Sequence, residues 1–444
     1  TLIPWSPSLS HPFFSSCKGP LLTAPGNRRS LAAPPSGRIY IMGKCVDLLC
    51  AEAMEQGKKA VVVRHNGGAQ AGHTVEGKNF RFVFHQLGSG CFRETPFYWS
   101  ETFLPDLVKL GEEAEAFERI RGDNGAGHEA VAVYASPDCV CVTVFDVLLN
   151  SLAEELRREA RHGSCGMGIY ETVRRARSVT GGAVTFRLGD LEGKGTEEIA
   201  GMLKRIRDCY VPGRLEEICR ELEGGPGAPF DRDRLWEYEW FRLLRDDNVL
   251  WNASDLMREN FNRYVITAGP SQVLEPFDTV ICEGAQGLLL DEDNTEYYPH
   301  LTPSHTGLFN VSRLLASARI EPASLDVLYV TRSYVTRHGG GRLDHECRKE
   351  EINPFMQDLT NLPNPWQGEL RFAKHPDVSG FFAPLEMDLG NLPARLKKCL
   401  CARIEVTHLD ETDGRILCCG RPRELEEFQK ECENMGKEVL CFKI

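Results

Sequence analysis

The sequence predicts an α/β protein in which helices surround a central, mostly parallel β-sheet. Four apolar, β-branched runs each end in a polar or glycine-rich loop. In chain order they are AVVV before RHNGG, DTVIC before EGAQG, LDVLYV before TRSYVTRHGGG, and RIEV before THLDETDG. Continuous apolar runs of this kind are typical of parallel strands buried on both faces, and the loops at their carboxyl ends commonly carry function.

Helical segments lie between these strands. The clearest is VLLNSLAEELRREARHG, whose apolar positions recur at intervals of three and four residues while the charged positions take the other face. The apolar positions are Leu148, Leu149, Leu152 and Leu156. We expect an amphipathic helix that ends at Gly163, because glycine favours the C-terminus of a helix.

The composition limits the class of protein. The chain has 444 residues, of which 42% are hydrophobic and 26% charged, so it can bury a large core. Its net charge of −12 argues against nucleic acid or an anionic membrane surface as a main partner, and no apolar run is long enough to span a membrane.

The 17 cysteines are scattered without a zinc-binding spacing. We expect free, mostly buried thiols rather than a metal or disulfide framework, and a cytoplasmic location.

The first 37 residues differ from the rest. They are rich in Pro, Ser and Leu, and the first acidic residue of the chain is Asp47. Such a segment cannot bury enough apolar surface to fold alone, so we expect a non-globular tail over residues 1–37. Its acid-poor, arginine-bearing composition resembles an organelle transit peptide. A spurious translation upstream of the true start is the alternative.

The loop after the first run, RHNGGAQAGHT at residues 64–74, is the richest in small residues. Gly67, Gly68 and Gly72 leave backbone N–H groups uncovered, which suits a phosphate or a metal-bound phosphate. His73 would then lie at the rim. A glycine turn with a structural histidine is the alternative.

The second loop, EGAQGLLLD at residues 283–291, offers Gln286 between two glycines. Its amide can donate and accept hydrogen bonds at the edge of a base or at a ribose. Farther along, Thr302, Ser304 and Thr306 add hydroxyl groups. On its own the segment is a turn-rich loop; beside the first loop it predicts a second wall of one site.

The third and fourth loops add charge. Arg337 and Arg342 flank the triple glycine of TRHGGGR, an arrangement that suits a mobile clamp on a carboxylate or phosphate. A flexible loop with incidental charges is the alternative. In THLDETDG, Asp410 can accept hydrogen bonds from the N1–H and amino group of guanine, although an acidic residue after a strand is more often a helix N-cap.

In this order the four loops resemble those of the adenylosuccinate synthetase family. The similar motifs are GGAQAGHT, EGAQGLLLD with YPHLT behind it, TRHGGG and THLDETDG, starting from about residue 43. The resemblance implies a fold related to the P-loop NTPases and one catalytic domain over residues 38–444. The segments RHNGGAQAGHT, FHQLGSGCF, HGSCGMGI and DLTNLPNPWQGELRF are more similar to a divergent branch that contains phage 2-aminoadenylosuccinate synthetases.

The resemblance implies a ligase that condenses aspartate with a 6-oxopurine nucleotide through a 6-phosphoryl intermediate. In the main branch IMP becomes adenylosuccinate on the way to AMP; in the divergent branch the substrate is of the (d)GMP type. The phosphoryl donor is GTP or ATP. The family also implies Mg2+ as cofactor, small molecules as partners and a homodimer.

Site residues follow by matching positions. The resemblance gives catalytic roles to His73 and Gln286. Positions that match the substrate nucleotide pocket are Gln70, Cys165, Gln286, Thr302 and Arg337. Positions that match the aspartate loop are Arg337, Gly339, Gly340 and Gly341. Positions that match triphosphate contacts are Lys44, Gly72, Thr74, His408 and Asp410, and the Gly72 carbonyl also matches a ligand of Mg2+. Candidates for an arginine that crosses to a neighbouring subunit are Arg174, Arg175 and Arg177.

Several positions depart from the family pattern. Cys165 replaces a threonine, Arg342 a proline and His408 a lysine. Of the family's first loop, GDEGKGK, only Gly43 and Lys44 match, and Ile39 stands where the aspartate general base is expected.

Loss of a general base costs about two to four orders of magnitude in rate. The departure leaves two alternatives: a lost true start, or a non-catalytic nucleotide-binding homologue. A third, a regulatory P-loop NTPase, lacks a sound GxxxxGK[ST] segment.

Overall fold

A computed structural model describes residues 17–23, 42–78, 80–123, 130–158, 161–179, 181–223, 231–356, 367–434 and 441–443. Ile39 and the rest of the segment aligned with the family's first loop up to residue 41 lie outside these ranges. The strands are β1 (Cys17–Thr23), β2 (Ala60–Arg64), β3 (His73–Glu76), β4 (Arg81–Phe84), β5 (Phe97–Trp99), β6 (Val133–Ala135), β7 (Val265–Thr267), β8 (Thr279–Glu283), β9 (Leu325–Arg332), β10 (Val335–Arg337), β11 (Glu346–Cys347), β12 (Arg371–Ala373), β13 (Leu400–Thr407), β14 (Arg415–Leu417), β15 (Pro422–Glu424) and β16 (Cys441–Lys443).

The helices alternate with these strands along most of the chain. They are α1 (Met42–Glu55), α2 (Leu107–Asp123), α3 (Val144–Arg157), α4 (Ile169–Ala176), α5 (Gly181–Val184), α6 (Thr196–Cys209), α7 (Val211–Glu223), α8 (Glu239–Leu243), α9 (Asp247–Tyr264), α10 (Pro270–Leu274), α11 (Leu308–Ser317), α12 (Lys349–Ile352), α13 (Val378–Gly390), α14 (Ala394–Lys397) and α15 (Leu425–Asn434). Short 3-10 helices span Cys91–Arg93, Leu188–Leu191, Arg232–Glu237, Leu288–Leu290, Thr295–Tyr297 and Leu409–Thr412.

The predicted central sheet is confirmed. Within the described residues it has nine strands in the order β16, β13, β9, β1, β8, β2, β5, β6, β7, and every pairing is parallel except those of β1. The four predicted runs form β2, β8, β9 and β13. Because these strands are parallel neighbours or near neighbours, the loops at their carboxyl ends meet at one edge of the sheet.

Both faces of the sheet are covered, as the continuous apolar runs predict. On β2, Val62 packs into one hydrophobic core, and Val61 and Val63 pack into the other. On β8, Ile281 joins the first core and Val280 the second. Successive side chains of a strand point to opposite faces, so a strand buried on both sides needs apolar residues at consecutive positions.

Strand β1 differs from the prediction of a non-globular tail over residues 1–37. Its seven residues lie between β8 and β9 and pair antiparallel with both. Sheet pairing is carried by backbone N–H and C=O groups, so a segment whose composition cannot support a core can still form a strand between two open edges. The other residues of the tail lie outside the described ranges, and the domain boundary at residue 38 stays a prediction.

Helix α3 confirms the predicted amphipathic helix but not its end. The four leucines of its apolar face are buried. At its N-terminus, Thr143 and Asp146 cap each other's backbone N–H groups. The helix ends at Arg157, whereas the sequence predicted Gly163. Gly163 has a φ of +73° and packs against another glycine loop, so tertiary contact rather than helix termination accounts for this glycine.

The cysteines whose side chains the structure describes are free thiols, and most of them are buried, as predicted. A search of the described residues finds no helix with the length and hydrophobicity needed to cross a membrane.

Helix α4 places the three candidate inter-subunit arginines in different environments. Arg175 is fully buried and pairs with Asp146 through two hydrogen bonds of 2.8 and 2.9 Å, so it is not available to a neighbouring subunit. Its inclusion among the candidates was wrong, because sequence alone does not reveal which face of a short helix is covered. Arg174 pairs with Glu217, and Arg177 pairs with Glu292; both remain partly exposed.

We expect Arg175→Met to lower the free energy of unfolding by about 3–5 kcal/mol, because it leaves the buried Asp146 carboxylate unpaired. Arg177→Met, two residues away, removes an exposed ion pair and should cost less than about 1 kcal/mol. Urea denaturation followed by circular dichroism measures both. Equal effects of the two substitutions would contradict this account of the buried pair.

Candidate active site

A cavity of about 300 Å3 lies where the loops after β2, β8 and β10 meet. Most of the predicted site residues line it: Gln70, Gly72, His73, Cys165, Gln286, Thr302, Arg337 and Gly340. These positions come from separate stretches of the chain, and the parallel sheet brings them to one edge. The two walls that the sequence predicted from the first and second loops therefore face the same space.

A side-chain clamp fixes the first loop to the second. The Asn66 amide nitrogen donates to the Ala285 carbonyl at 2.7 Å, and the Ala285 N–H donates to the Asn66 amide oxygen at 2.8 Å. Asn66 thus pairs with the backbone as a neighbouring strand would. Next to it, a Cβ on Gly68 would lie 2.3 Å from the Leu104 carbonyl oxygen, so only glycine fits this position.

His73 begins β3 and is buried beneath the cavity. Its Nδ1 is hydrogen-bonded to the Glu283 carboxylate at the end of β8, and that carboxylate also accepts hydrogen bonds from the Ser89 N–H and hydroxyl. Burial alone would raise the pKa of this carboxyl. The charges of His73 and Arg64 and the hydroxyl of Ser89 outweigh burial and lower the pKa of Glu283 to about 2.

Two amide side chains end in the cavity. The Oε1 atoms of Gln70 and Gln286 are buried and have no hydrogen-bond partner among the described residues. Gln286 also has a φ of 61°, a left-handed conformation that non-glycine residues seldom adopt. A buried polar atom without a partner and a strained backbone are features that concentrate at ligand-binding sites, because a ligand supplies the missing contact.

The triple-glycine loop is held by two arginines. Arg337 donates from Nε to the Gly340 carbonyl at 3.0 Å, and Arg371 donates to the Gly339 and Gly341 carbonyls at 3.1 and 2.8 Å. The loop also lies close to Gly163, since a Cβ on Gly339 would be 2.6 Å from the Gly163 carbonyl oxygen.

The two flanking arginines of this loop point in different directions. Arg337 lines the cavity, and burial followed by the nearby charge of Arg371 lowers its pKa. Arg342 is exposed and pairs with Asp344 and Glu296. The two-arginine clamp predicted from the sequence is therefore reduced to Arg337 in this structure.

The remaining wall of the cavity carries Cys165 and Thr302. Burial raises the pKa of the Cys165 thiol to about 11, so the sulfur is neutral at physiological pH. The Thr302 N–H donates to the Leu290 carbonyl at 2.9 Å. The cavity lining also includes charged residues that form ion pairs, namely Arg157, Arg174, Arg214, Glu154, Glu171 and Glu221. Glu217, outside the lining, pairs with Arg174 and Arg214.

The positions matched to triphosphate contacts do not gather in this cavity as a group. Lys44 pairs with Asp47 at 2.7 Å and lines a separate cleft. Thr74 follows His73 on β3, is buried, and has no partner for its hydroxyl among the described residues. His408 is buried at the end of β13, and Asp410 is exposed on the 3-10 turn that follows.

Sequence reasoning assigned no role to several residues that build the site. In the sequence, Glu283 and Arg64 stand out only as the first residues of the loops EGAQGLLLD and RHNGGAQAGHT. Arg371 lies far from the glycine loop in sequence. The one signal available was that each of Glu283 and Arg64 directly follows an apolar run that predicts a buried strand. A charged side chain is costly to bury unless it is paired, so this placement indicates a charged partner.

Comparison with known proteins places the chain in a family. The family profile described as adenylosuccinate synthetase matches residues 42–361. The adenylosuccinate synthetase of Pseudomonas fluorescens is 28% identical over 318 residues, which cover 71% of this chain and 64% of the relative. The matched region thus spans less than two thirds of that relative's length.

Two solved structures resemble the chain. Fully ligated adenylosuccinate synthetase from Plasmodium falciparum has a TM-score of 0.55 at 19% identity, covering 86% of this chain and 80% of the other, which supports the fold. The second structure is succinoaminodeoxyadenylate synthetase of cyanophage S-2L bound to dGMP and dATP. It aligns with 90% of this chain and 88% of the phage chain, with a TM-score of 0.43 and 14% identity. This likeness is too weak to inform fold or function. With the family profile matching well over half of its residues, the chain belongs to the adenylosuccinate synthetase family.

Proposed function

We propose that this chain is an NTP-dependent ligase that joins L-aspartate to a 6-oxopurine nucleotide, as in the conversion of IMP to adenylosuccinate for AMP synthesis. The observation that carries the proposal is the convergence of His73, Gln286 and Arg337 on one cavity with unpartnered amide oxygens. Family membership supports the same reaction class.

The reaction has two steps. The purine loses its N1 proton to solvent and its O6 attacks the γ-phosphorus of the triphosphate. An O6–P bond forms, the bond between the γ-phosphorus and the bridging oxygen breaks, and the nucleoside diphosphate leaves. The amine of aspartate then attacks C6, the C6–O bond breaks, inorganic phosphate leaves, and the nitrogen loses a proton. His73 would stabilise charge on O6, because imidazole can donate a hydrogen bond or a proton there. Gln70 and Gln286 would hold the base through their unpartnered amide atoms.

Aspartate would bind at the triple-glycine loop. Arg337 is the cation on the cavity side of this loop, and guanidinium binds a carboxylate through two parallel hydrogen bonds. The backbone of Gly339, Gly340 and Gly341 can approach the ligand closely because no side chain intervenes. Cys165 and Thr302, with neutral side chains, would line the nucleotide on the opposite wall.

The donor is GTP or ATP, with Lys44, Thr74, His408 and Asp410 as the proposed contacts.

Mg2+ is the proposed cofactor, with the Gly72 carbonyl as a ligand. Among the described residues, the glutamates that line the cavity form ion pairs with arginines and are not available as metal ligands. The Gly72 carbonyl is therefore the only ligand that we propose from the protein. Nucleotide phosphates and water would have to complete the shell. A homodimer with Arg174 or Arg177 reaching the partner completes the proposal.

A turnover assay tests the proposal. Purified protein is incubated with Mg2+, aspartate, GTP or ATP, and either IMP or dGMP, and phosphate and the succinylated nucleotide are quantified. Aspartate-dependent phosphate release with a stoichiometric succinylated product supports the ligase, and the active monophosphate identifies the purine. Nucleotide binding without turnover supports a non-catalytic homologue, and hydrolysis that does not require aspartate supports a regulatory NTPase.

We expect His73→Ala to lower kcat by about two to four orders of magnitude, because the imidazole is the proposed acid at O6. His345→Ala is the matched control, since His345 is exposed and lies outside the cavity. Steady-state kinetics of both variants provides the measurement. Retention of wild-type kcat by His73→Ala would remove the histidine from the mechanism.

We expect Arg337→Met to raise the KM for aspartate by about 10- to 100-fold, the equivalent of losing a charged hydrogen bond of about 1.5–3 kcal/mol. Arg342→Met, at the other end of the same loop, removes exposed ion pairs and should change that KM by less than about threefold. The comparison is made at saturating nucleotide. If Arg342→Met has the larger effect, the loop binds aspartate in a different arrangement.

A further inference from the structure

The Glu283 carboxylate has contacts that connect the sheet to His73. We propose that Glu283 is a positioning residue that, together with Arg64 and Ser89, fixes the protonated nitrogen of the His73 ring and so orients the imidazole toward the nucleotide. This inference rests on the proposed function for its catalytic consequence. Its structural part can be tested without turnover.

The hydrogen bond between His73 and Glu283 sets the tautomer. An ionised carboxylate can only accept hydrogen bonds, so the His73 Nδ1 that contacts Glu283 must carry the hydrogen. In the neutral ring Nε2 is then the basic nitrogen, and in the charged ring it is the second donor. A histidine that works as an acid or base needs this choice to be made in advance, because the wrong tautomer presents the wrong atom.

The surroundings of Glu283 keep it ionised although it is fully buried. Arg64 on β2 is its partner in the register of the sheet, and Ser89 donates to both carboxylate oxygens. The opposite charge and the donors outweigh burial, so the carboxyl group holds its charge throughout the physiological range.

Three titratable side chains near Glu283, those of His65, Cys50 and Cys91, are neutral at physiological pH. Burial and then Arg64 lower the pKa of His65 to about 3. Burial raises the pKa of Cys50 to about 12, and the pKa of Cys91 is raised as well. Arg64 thus supplies the positive charge that faces Glu283 from the neighbouring strand, in addition to His73.

The experiment compares Glu283→Gln with Glu405→Gln in the full chain. Both glutamates are buried on strands of the central sheet, but Glu405 on β13 contacts the Cys45 sulfur at 3.7 Å. Nitrogen NMR of the histidine rings in the ligand-free protein reports which nitrogen of His73 is protonated. We expect the Nδ1–H form in the wild type and in Glu405→Gln, and a loss of that preference in Glu283→Gln.

Kinetics gives the second readout. Glu283→Gln should lower kcat by about 10- to 100-fold with a nearly unchanged nucleotide KM, because the carboxylate no longer fixes the orientation and tautomer of the ring. Glu283→Asp should restore part of the loss. If Glu283→Gln folds poorly, Ser89→Ala is the second variant, because it removes the hydroxyl donor to Glu283 and keeps the backbone N–H donor. It should change the tautomer preference and kcat in the same direction by a smaller amount.

The outcomes separate this proposal from the proposed function. An unchanged His73 tautomer in Glu283→Gln, or an equal change in Glu405→Gln, would overturn the positioning role. The wild type could lack aspartate-dependent turnover while Glu283→Gln still loses the Nδ1–H preference of His73. That result would refute the ligase and retain the positioning role of Glu283. Loss of kcat in Glu283→Gln that Glu283→Asp does not partly restore would reduce Glu283 to a purely structural residue.

Discussion

The parallel pairing of β2 with β8 is the constraint on which the site depends. Its register places Arg64 opposite Glu283 at the carboxyl ends of the two strands, where the chain enters the two loops that face each other across the cavity. The Asn66 clamp to Ala285 continues that pairing one step beyond the strands. A shift of register by one residue would turn Arg64 and Glu283 to different faces of the sheet and would separate Asn66 from Ala285.

Burial is what gives the polar residues of the site their properties. In water, Glu283 and His73 would form a weak, screened pair; inside the protein the charges and donors around the carboxylate fix its ionisation and the geometry of the ring. The same physics makes unpartnered Gln70 and Gln286 oxygens costly unless a ligand reaches them. A preformed site of this kind binds a polar ligand with little rearrangement.

Glycine has a different use on each side of the cavity. Gly68 allows two backbone segments to touch, and Gly163 allows the loop after α3 to meet Gly339. These close approaches let Arg337 and Arg371 hold the triple-glycine loop through its carbonyl groups, without side chains between. The loop is therefore anchored at defined points, whereas its glycine content alone would suggest free motion.

The sequence by itself determined four strands of the central sheet, the amphipathic face of α3 and the loops that meet at the sheet edge, because hydrophobic periodicity and glycine placement are local properties. Only the tertiary structure decided that Glu283 meets His73, a partner 210 residues away, and that Arg175 is buried while Arg177 is exposed. It also decided that residues 17–23 enter the sheet and that α3 stops at Arg157. Such outcomes depend on which distant groups become neighbours, and sequence spacing does not specify them.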